Sequence, residues 1–307
     1  METKTFSQAR RMTEPEARAY LEDIRWPEGP CCIHCGSVNV MRLEGDSTRP
    51  GVLRCREKEC RKPFSVTVGT VMQGSHIPLS DWVVAFHLIA ASKKAISALQ
   101  LQRMLGLGSY KSAWHMAHRI RTAMANGPDE GPLSGHVEAD EVYVGGKPRR
   151  LADTKRPGGV YGYKPTKKVP VLVLVERGGR ARAKASDRAN AVSVTANIAA
   201  NVDPAAHLNT DQSAIYGPIH KVWGGGSSTI NHMERYADGA NHINTAESYN
   251  AMVRRCVMGA WHHISKQHMQ KYLNEISFRW SHRKATDSER AVTALRQGDG
   301  VRLAYRA

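Results

Sequence analysis

The sequence predicts an α/β protein, with a mixed sheet flanked by helices in its C-terminal half and two smaller, helix- and cysteine-rich regions before it. Three observations carry this. Beyond residue 136, strand-like runs come first and then alternate with a helix, a strand and a helix, the order of a sheet covered on its faces. Upstream, NGPDEGPLSG (126–135) concentrates Gly and Pro and is the clearest linker in the chain. Four of the six cysteines fall into two close pairs before residue 61.

The 307 residues have room for two domains, or for one with a sizeable appendage, at about 100–200 residues per domain. Lys and Arg number 44 against 28 Asp and Glu, a formal charge of +16 that makes a polyanion the first partner to test. METKTFSQARRM has no apolar core of signal-peptide type. The longest apolar stretch, 82–91, falls far short of the ~20 residues of a membrane span, so a cytoplasmic protein without a membrane partner is expected. In that reducing compartment cysteines serve as metal ligands or buried thiols.

From the N-terminus, Thr13, Pro15 and Glu16 predict a capped helix. Cys32 and Cys35 form C-x2-C, and Cys55 and Cys60 form C-x4-C, spacings at which four thiolates converge on one structural Zn²⁺. Gly36 permits the tight turn that aims the first pair. Cys31 and His34 are adjacent alternatives to Cys32. With little apolar sequence around it, the metal would be the core of this zinc ribbon. Cys256 reads as a buried small hydrophobe.

Trp82, Val83, Phe86, Ile89 and Ala90 recur at helical spacing behind a Ser80 cap. Residues 96–124 then predict two helices broken at GLGS, the second carrying Lys111, His115, His118, Arg119 and Arg121. Two helices joined by a Gly-containing turn, the second basic, form the helix-turn-helix pattern. Lys111, His115, Arg119 and Arg121 are therefore candidate DNA contacts, and Met104, Trp114 and Met116 candidate core. The competing reading is a helical hairpin with a solvated charged face.

After the linker, HVEADEVYVGG (136–146) predicts a strand. The basic run 147–168, with eight Lys or Arg and one Asp, reads either as a solvated loop or as one that follows DNA through residues such as Lys147, Arg149 and Arg150. VPVLVLVER (169–177) is a buried strand, and 180–187 its hairpin partner. A helix over 190–202, a strand over 206–211, a weak strand over 227–232 and a helix over 244–262 complete the series. The predicted regions are an N-terminal helix (1–25), the zinc ribbon (26–75), the helix-turn-helix (76–126), the linker (127–135), the sheet domain (136–283) and a C-terminal tail (284–307).

Acid in so basic a chain asks for a reason. In a regular strand Glu138 and Asp140 share one face and Glu141 takes the other. Asp211 ends a strand and Glu247 sits in the first turn of a helix. Carboxylates brought from two strands and a helix can ring a pair of Mg²⁺ ions, hard cations suited to oxygen ligands and to phosphoryl displacement. Singly, each acid has a plainer role: Glu247 could close a capping box with Asn244, Asp211 could begin a turn, and Glu138 or Glu141 could be solvated on an edge strand.

Over nearly its whole length the chain resembles the ISXO-like group of bacterial insertion-sequence transposases, which join an N-terminal zinc ribbon to a DDE catalytic domain. The resemblance runs through WPEGPCCIHCG, CRKPFSVTVGTVMQGSHIPLSDW, SYKSAWHMAHRIR, VEADEVYVGGK, LNTDQSAIY, NHINTAESYNAMVRRCVMGAWHHIS and YLNEISFRWSHR. It implies an RNase H-like fold whose catalytic and Mg²⁺-binding trio is Asp140, Asp211 and Glu247, with two Mg²⁺ (or Mn²⁺) ions. It implies nicking at the terminal inverted repeats, attack of the freed 3′-hydroxyl on target DNA, and a homodimer or higher assembly on double-stranded DNA. Seven residues after the glutamate, where the group commonly has Lys, stands Arg254, which offers phosphate a fork instead of a point charge. The second cysteine pair is wider than the C-x2-C often found in the group. The alternative reading is a DNA-binding regulator, or an inactive copy, whose RNase H-like domain is only a scaffold.

Overall fold

The computed structural model describes residues 3–45, 48–125, 131–145, 150–155, 161–163, 168–231, 239 and 241–303, with backbone only at 150–155 and 161–163. The chain forms two compact units, Met1–Gly127 with His282–Ala307, and Pro128–Ser281.

The first unit opens with two helices, α1 (Phe6–Arg11) and α2 (Glu14–Arg25), each started by a capping box, Thr5 with Gln8 and Thr13 with Glu16. Strands β1 (Val40–Arg42), β2 (Leu53–Cys55) and β3 (Pro63–Phe64) form an antiparallel three-stranded sheet. Helix α3 (Leu79–Ala91) follows and buries Trp82, Val83, Phe86 and Ile89. Its cap differs from expectation: the helix already begins at Leu79, and the Ser80 N–H donates to the Glu14 carboxylate (3.2 Å). Helices α4 (Ala98–Leu105) and α5 (Tyr110–Ala123) start at Ser97 and Ser109, whose hydroxyls accept from Gln100 and Lys111 N–H. Between them Gly106 takes the left-handed conformation (φ 64°) that ends α4.

The second unit is built on a five-stranded sheet. Its strands in chain order are β4 (His136–Val144), β7 (Val169–Glu176), β8 (Ala181–Ala185), β9 (His207–Asp211) and β10 (Ser227–Ile230). Within the expected basic loop, β5 (Arg150–Lys155) and β6 (Tyr161–Tyr163) instead pair as a separate antiparallel ladder. The sheet order is β10-β9-β4-β7-β8, with β4–β7 and β7–β8 antiparallel and β4–β9 and β9–β10 parallel. This is an RNase H-like mixed sheet with β4 at its centre. Buried on both faces, β7 has the continuous Val and Leu run such a position requires.

Helix α6 (Ala191–Asn201) crosses one face, where Val194, Ile198 and Tyr216 pack with Val137, Ala139 and Leu208. The short α7 (Gly217–Val222) continues that layer. On the other side lie α8 (Asn244–Cys256), against β4 and β7, and α9 (Met269–Ser281), against β8. No described helix is long and apolar enough to cross a membrane. Residues 284–307, expected as a tail, contain α10 (Asp287–Arg296), which has its own Thr286–Glu289 capping box and packs against α3 and α2 in the first unit. Its Ala291, Val292, Ala294 and Leu295 are buried, the pattern of a helix that supplies core.

Candidate functional site

Strand pairing delivers two carboxylates to one place. Glu138 stands opposite Asn209 in the parallel β4–β9 pair, so two residues further along each strand Asp140 and Asp211 reach the same level on the same face. Helix α8 covers that face and carries Glu247, exposed, in its first turn. Asp140 Oδ2 accepts from Asn250 Nδ2 (2.7 Å) and Oδ1 from the Glu141 N–H (2.7 Å). Asp211 Oδ1 accepts from the Ser213 N–H (2.9 Å), the turn contact that was its plainer reading.

Burial pushes the Asp140 carboxyl up to about 6, the negative charges of Asp211 and Glu247 push the same way, and its two hydrogen bonds oppose them. Those two acids therefore lie close enough to be felt, yet among the described residues the four cysteines are the one group of three or more whose ligand atoms all gather within 4.8 Å of one another. Hard oxygens under mutual repulsion are a donor set that a divalent cation fits, because the cation would relieve the repulsion.

The other acids of β4 have separate duties. Glu141 turns to the α6 face, where Tyr216 hydrogen-bonds to it; burial lifts its carboxyl to about 7 and the charges of Asp140 and Asp211 add to that. Glu138 does share the Asp140 face, but β4 is central and Glu138 is 0% exposed, so the solvated edge-strand reading fails. The capping-box reading of Glu247 fails as well. Asn244 lies inside α8, whose cap position is Ile243, and no side chain of the segment caps it.

In the first unit, the β1–β2–β3 sheet brings the cysteine pairs together. Cys32 Sγ lies 3.7 Å from Cys60 Sγ and Cys35 Sγ 3.6 Å from Cys55 Sγ, while Cys31 and His34 are outside the cluster. Burial resists ionisation of Cys32, but the N–H groups of His34 and Cys35 and the neighbouring thiols outweigh it and bring the thiol to about 7. Burial holds Cys55 up at about 12, with the neighbouring thiols adding to the rise. Four thiolates this close need a cation, and soft sulfur in fours is the ligand set of structural Zn²⁺.

The helix-turn-helix candidates divide. Lys111 is exposed at the start of α5 and His115 is half-buried. Arg119 and Arg121 are corrected: both are buried. Arg119 donates to the Gln73 carbonyl and lies over the Trp82 ring (5.3 Å), and burial lowers its pKa; Arg121 Nη2 donates to the Ile96 carbonyl (3.4 Å). Met116 is core as expected, whereas Met104 is 52% exposed beside exposed Leu99, Arg103 and Tyr110. Arg254 is exposed in the last turn of α8. Lys147 and Arg149 lie outside the described residues, and Arg150 opens β5. The reading of residues missed Asn250 and Tyr216. Asn250 carried a usable signal, its place one helical turn after Glu247 on the same face.

Residues 132–281 match the ISXO2-like transposase domain, and residues 12–63 match the transposase zinc-ribbon domain. The chain carries an ISXO2-like transposase domain behind a transposase zinc ribbon. An uncharacterized protein in transposable element ISH50 of Halobacterium salinarum is 28% identical over 288 residues, covering 91% of this chain and 93% of that protein. In this transposase the zinc-ribbon match contains all four clustered cysteines, and the transposase-domain match spans Asp140, Asp211 and Glu247.

Proposed function

We propose that this transposase nicks double-stranded DNA at the terminal inverted repeats of an insertion sequence and joins the freed 3′-hydroxyl to target DNA. Asp140, Asp211 and Glu247 are the catalytic carboxylates and would hold two Mg²⁺ (or Mn²⁺) ions. Bound there, such ions supply Lewis-acid stabilisation of the attacking and leaving oxygens of an in-line phosphoryl displacement. The observation that carries the reading is the arrival of Asp140 and Asp211 at one level of two adjacent parallel strands, with Glu247 on the helix above them.

The chain's own residues do the positioning. Asn250 and the Glu141 N–H each occupy one oxygen of Asp140, which fixes the carboxylate plane and leaves further lone pairs for a cation. Arg254, seven residues past Glu247, offers a fork to a phosphate of the bound strand. Lys147, Arg149 and Arg150 follow the DNA flank, and Lys111 and His115 take the element end at the start of α5, aided by a net charge of +16. Cys32, Cys35, Cys55 and Cys60 would hold a structural Zn²⁺ that closes the ribbon over 26–75. The helix-turn-helix covers 76–126, and the RNase H-like catalytic domain covers 136–283. Since an element has two ends, a second copy on the DNA completes the working assembly, which acts on the nucleoid in the cytoplasm.

The test is cleavage and joining of a labelled duplex bearing the element's own end, with Mg²⁺, by the wild type and by Asp140→Ala. Metal-dependent nicking and joining, reduced at least about 10³-fold in the variant as for loss of a main electrostatic group, is the expected result. Tight binding without nicking by either protein would instead make the chain a regulator or an inactive copy.

A further inference from the structure

Helix α8 begins without a cap from its own segment, since Ile243 at the cap position has no side-chain acceptor. Unpaired N–H groups at a helix start need a partner, and Glu138 provides it from β4. Its Oε2 accepts from the N–H groups of Thr245 (2.8 Å) and Ala246 (2.9 Å), and its Oε1 from the Thr245 hydroxyl (3.0 Å) and Arg177 Nε (2.6 Å). His242 Nδ1 stands 3.2 Å from the same Oε1, and Arg177 Nη2 donates to the His242 carbonyl (2.8 Å). A carboxylate with no solvent exposure is tolerated only when its lone pairs are met in this way.

One turn further along α8, Asn250 makes the second fastening through its bond to Asp140. It is 1% exposed, and its Oδ1 is buried without a hydrogen-bond partner among the described residues. A residue kept for packing alone would avoid that buried acceptor. The two fastenings bracket Glu247 on the helix, and on the strand they fall on Glu138 and Asp140, two residues apart on one face.

We propose that Glu138 and Asn250 are positioning residues of the carboxylate site. Together they set the height and rotation of α8 on β4, so that Glu247 faces Asp140 and Asp211 at a spacing that one divalent centre can bridge. The inference rests on the transposase reading of those three acids. It assigns Glu138 a part distinct from metal ligation, although it is the acid nearest in sequence to Asp140 on the same face.

Mn²⁺ binding to the full-length, zinc-loaded protein, measured by isothermal titration calorimetry beside melting temperature and circular dichroism, decides it. Glu138→Gln places an amide NH₂ among the donors, and Asn250→Ala frees Asp140. Each is expected to weaken Mn²⁺ binding about 10–100-fold with secondary structure retained, as for other residues that orient ligands. Thr245→Val removes a single donor to Glu138 and is expected to weaken binding less, in the same direction; it decides the matter should Glu138→Gln not fold. Folded variants that melt lower yet bind Mn²⁺ as the wild type does would make these residues supports of the fold only and overturn the proposal. A wild type that takes up no Mn²⁺ would overturn the reading of the three acids, and the positioning role with it.

Discussion

Charge at single residues in this transposase is decided by what buries them. Asp140 keeps a raised carboxyl beside two like charges, while Arg119 spends its cation on a carbonyl and an indole ring. His87 shows how such burial reaches stability. It is 1% exposed on α3, both ring nitrogens are without a hydrogen-bond partner among the described residues, and burial lowers its pKa below 6.5 with Asp287 partly opposing. The unfolded chain therefore takes up a proton that the folded chain refuses. His87 costs no stability above pH 6.5, and stability drops progressively as pH falls from 6.5 toward its folded pKa. Denaturant midpoints measured at pH 7.5 and 5.5 should fall further for the wild type than for His87→Leu. The strand and helix positions of Asp140, Asp211 and Glu247 were legible at this scale because strand alternation and helix starts are local properties, whereas the pairing of β4 with β9 is not. The burial of Arg119 and Arg121 was not, since the face of α5 that turns inward depends on Trp82, Gln73 and Ile96, distant in sequence.

Helix starts mark the same boundary at the scale of elements. Six of the described helices open on caps written in their own sequence, at Thr5, Thr13, Ser97, Ser109, Asn190 and Thr286, and the reading of Thr13 with Glu16 stands. By contrast, α3 and α8 draw a carboxylate from another element, Glu14 and Glu138. No local pattern announces such a partner, which explains both the misplaced Ser80 cap and why the edge-strand alternative for Glu138 could be entertained. Glu14→Ala should lower stability by about 1 kcal/mol, the usual loss for a cap, and chemical denaturation would read it. The buried run of β7 was plain because a strand covered on both sides needs continuous apolar residues. The β5–β6 ladder was not, since its segment is dominated by charge and turn residues.

For the whole molecule, the two units draw their stability from different sources. The sheet unit has a continuous apolar layer under α6, whereas β1–β3 are two or three residues long and depend on the cysteine cluster. Chelation of zinc should expose 26–75 to limited proteolysis and leave 136–281 as a resistant fragment, a result readable by mass spectrometry. The six proposed regions follow the sequence in order, but the contacts do not: α10 belongs with α2 and α3, and the Val71 N–H donates to the Gly298 carbonyl. That return has a consequence for how the chain is made. A ribosome finishes the whole RNase H-like unit before it releases the last helix of the unit that began first. The sheet unit is thus complete before the unit that began first, and a message broken after residue 281 would yield the transposase domain without a finished N-terminal unit.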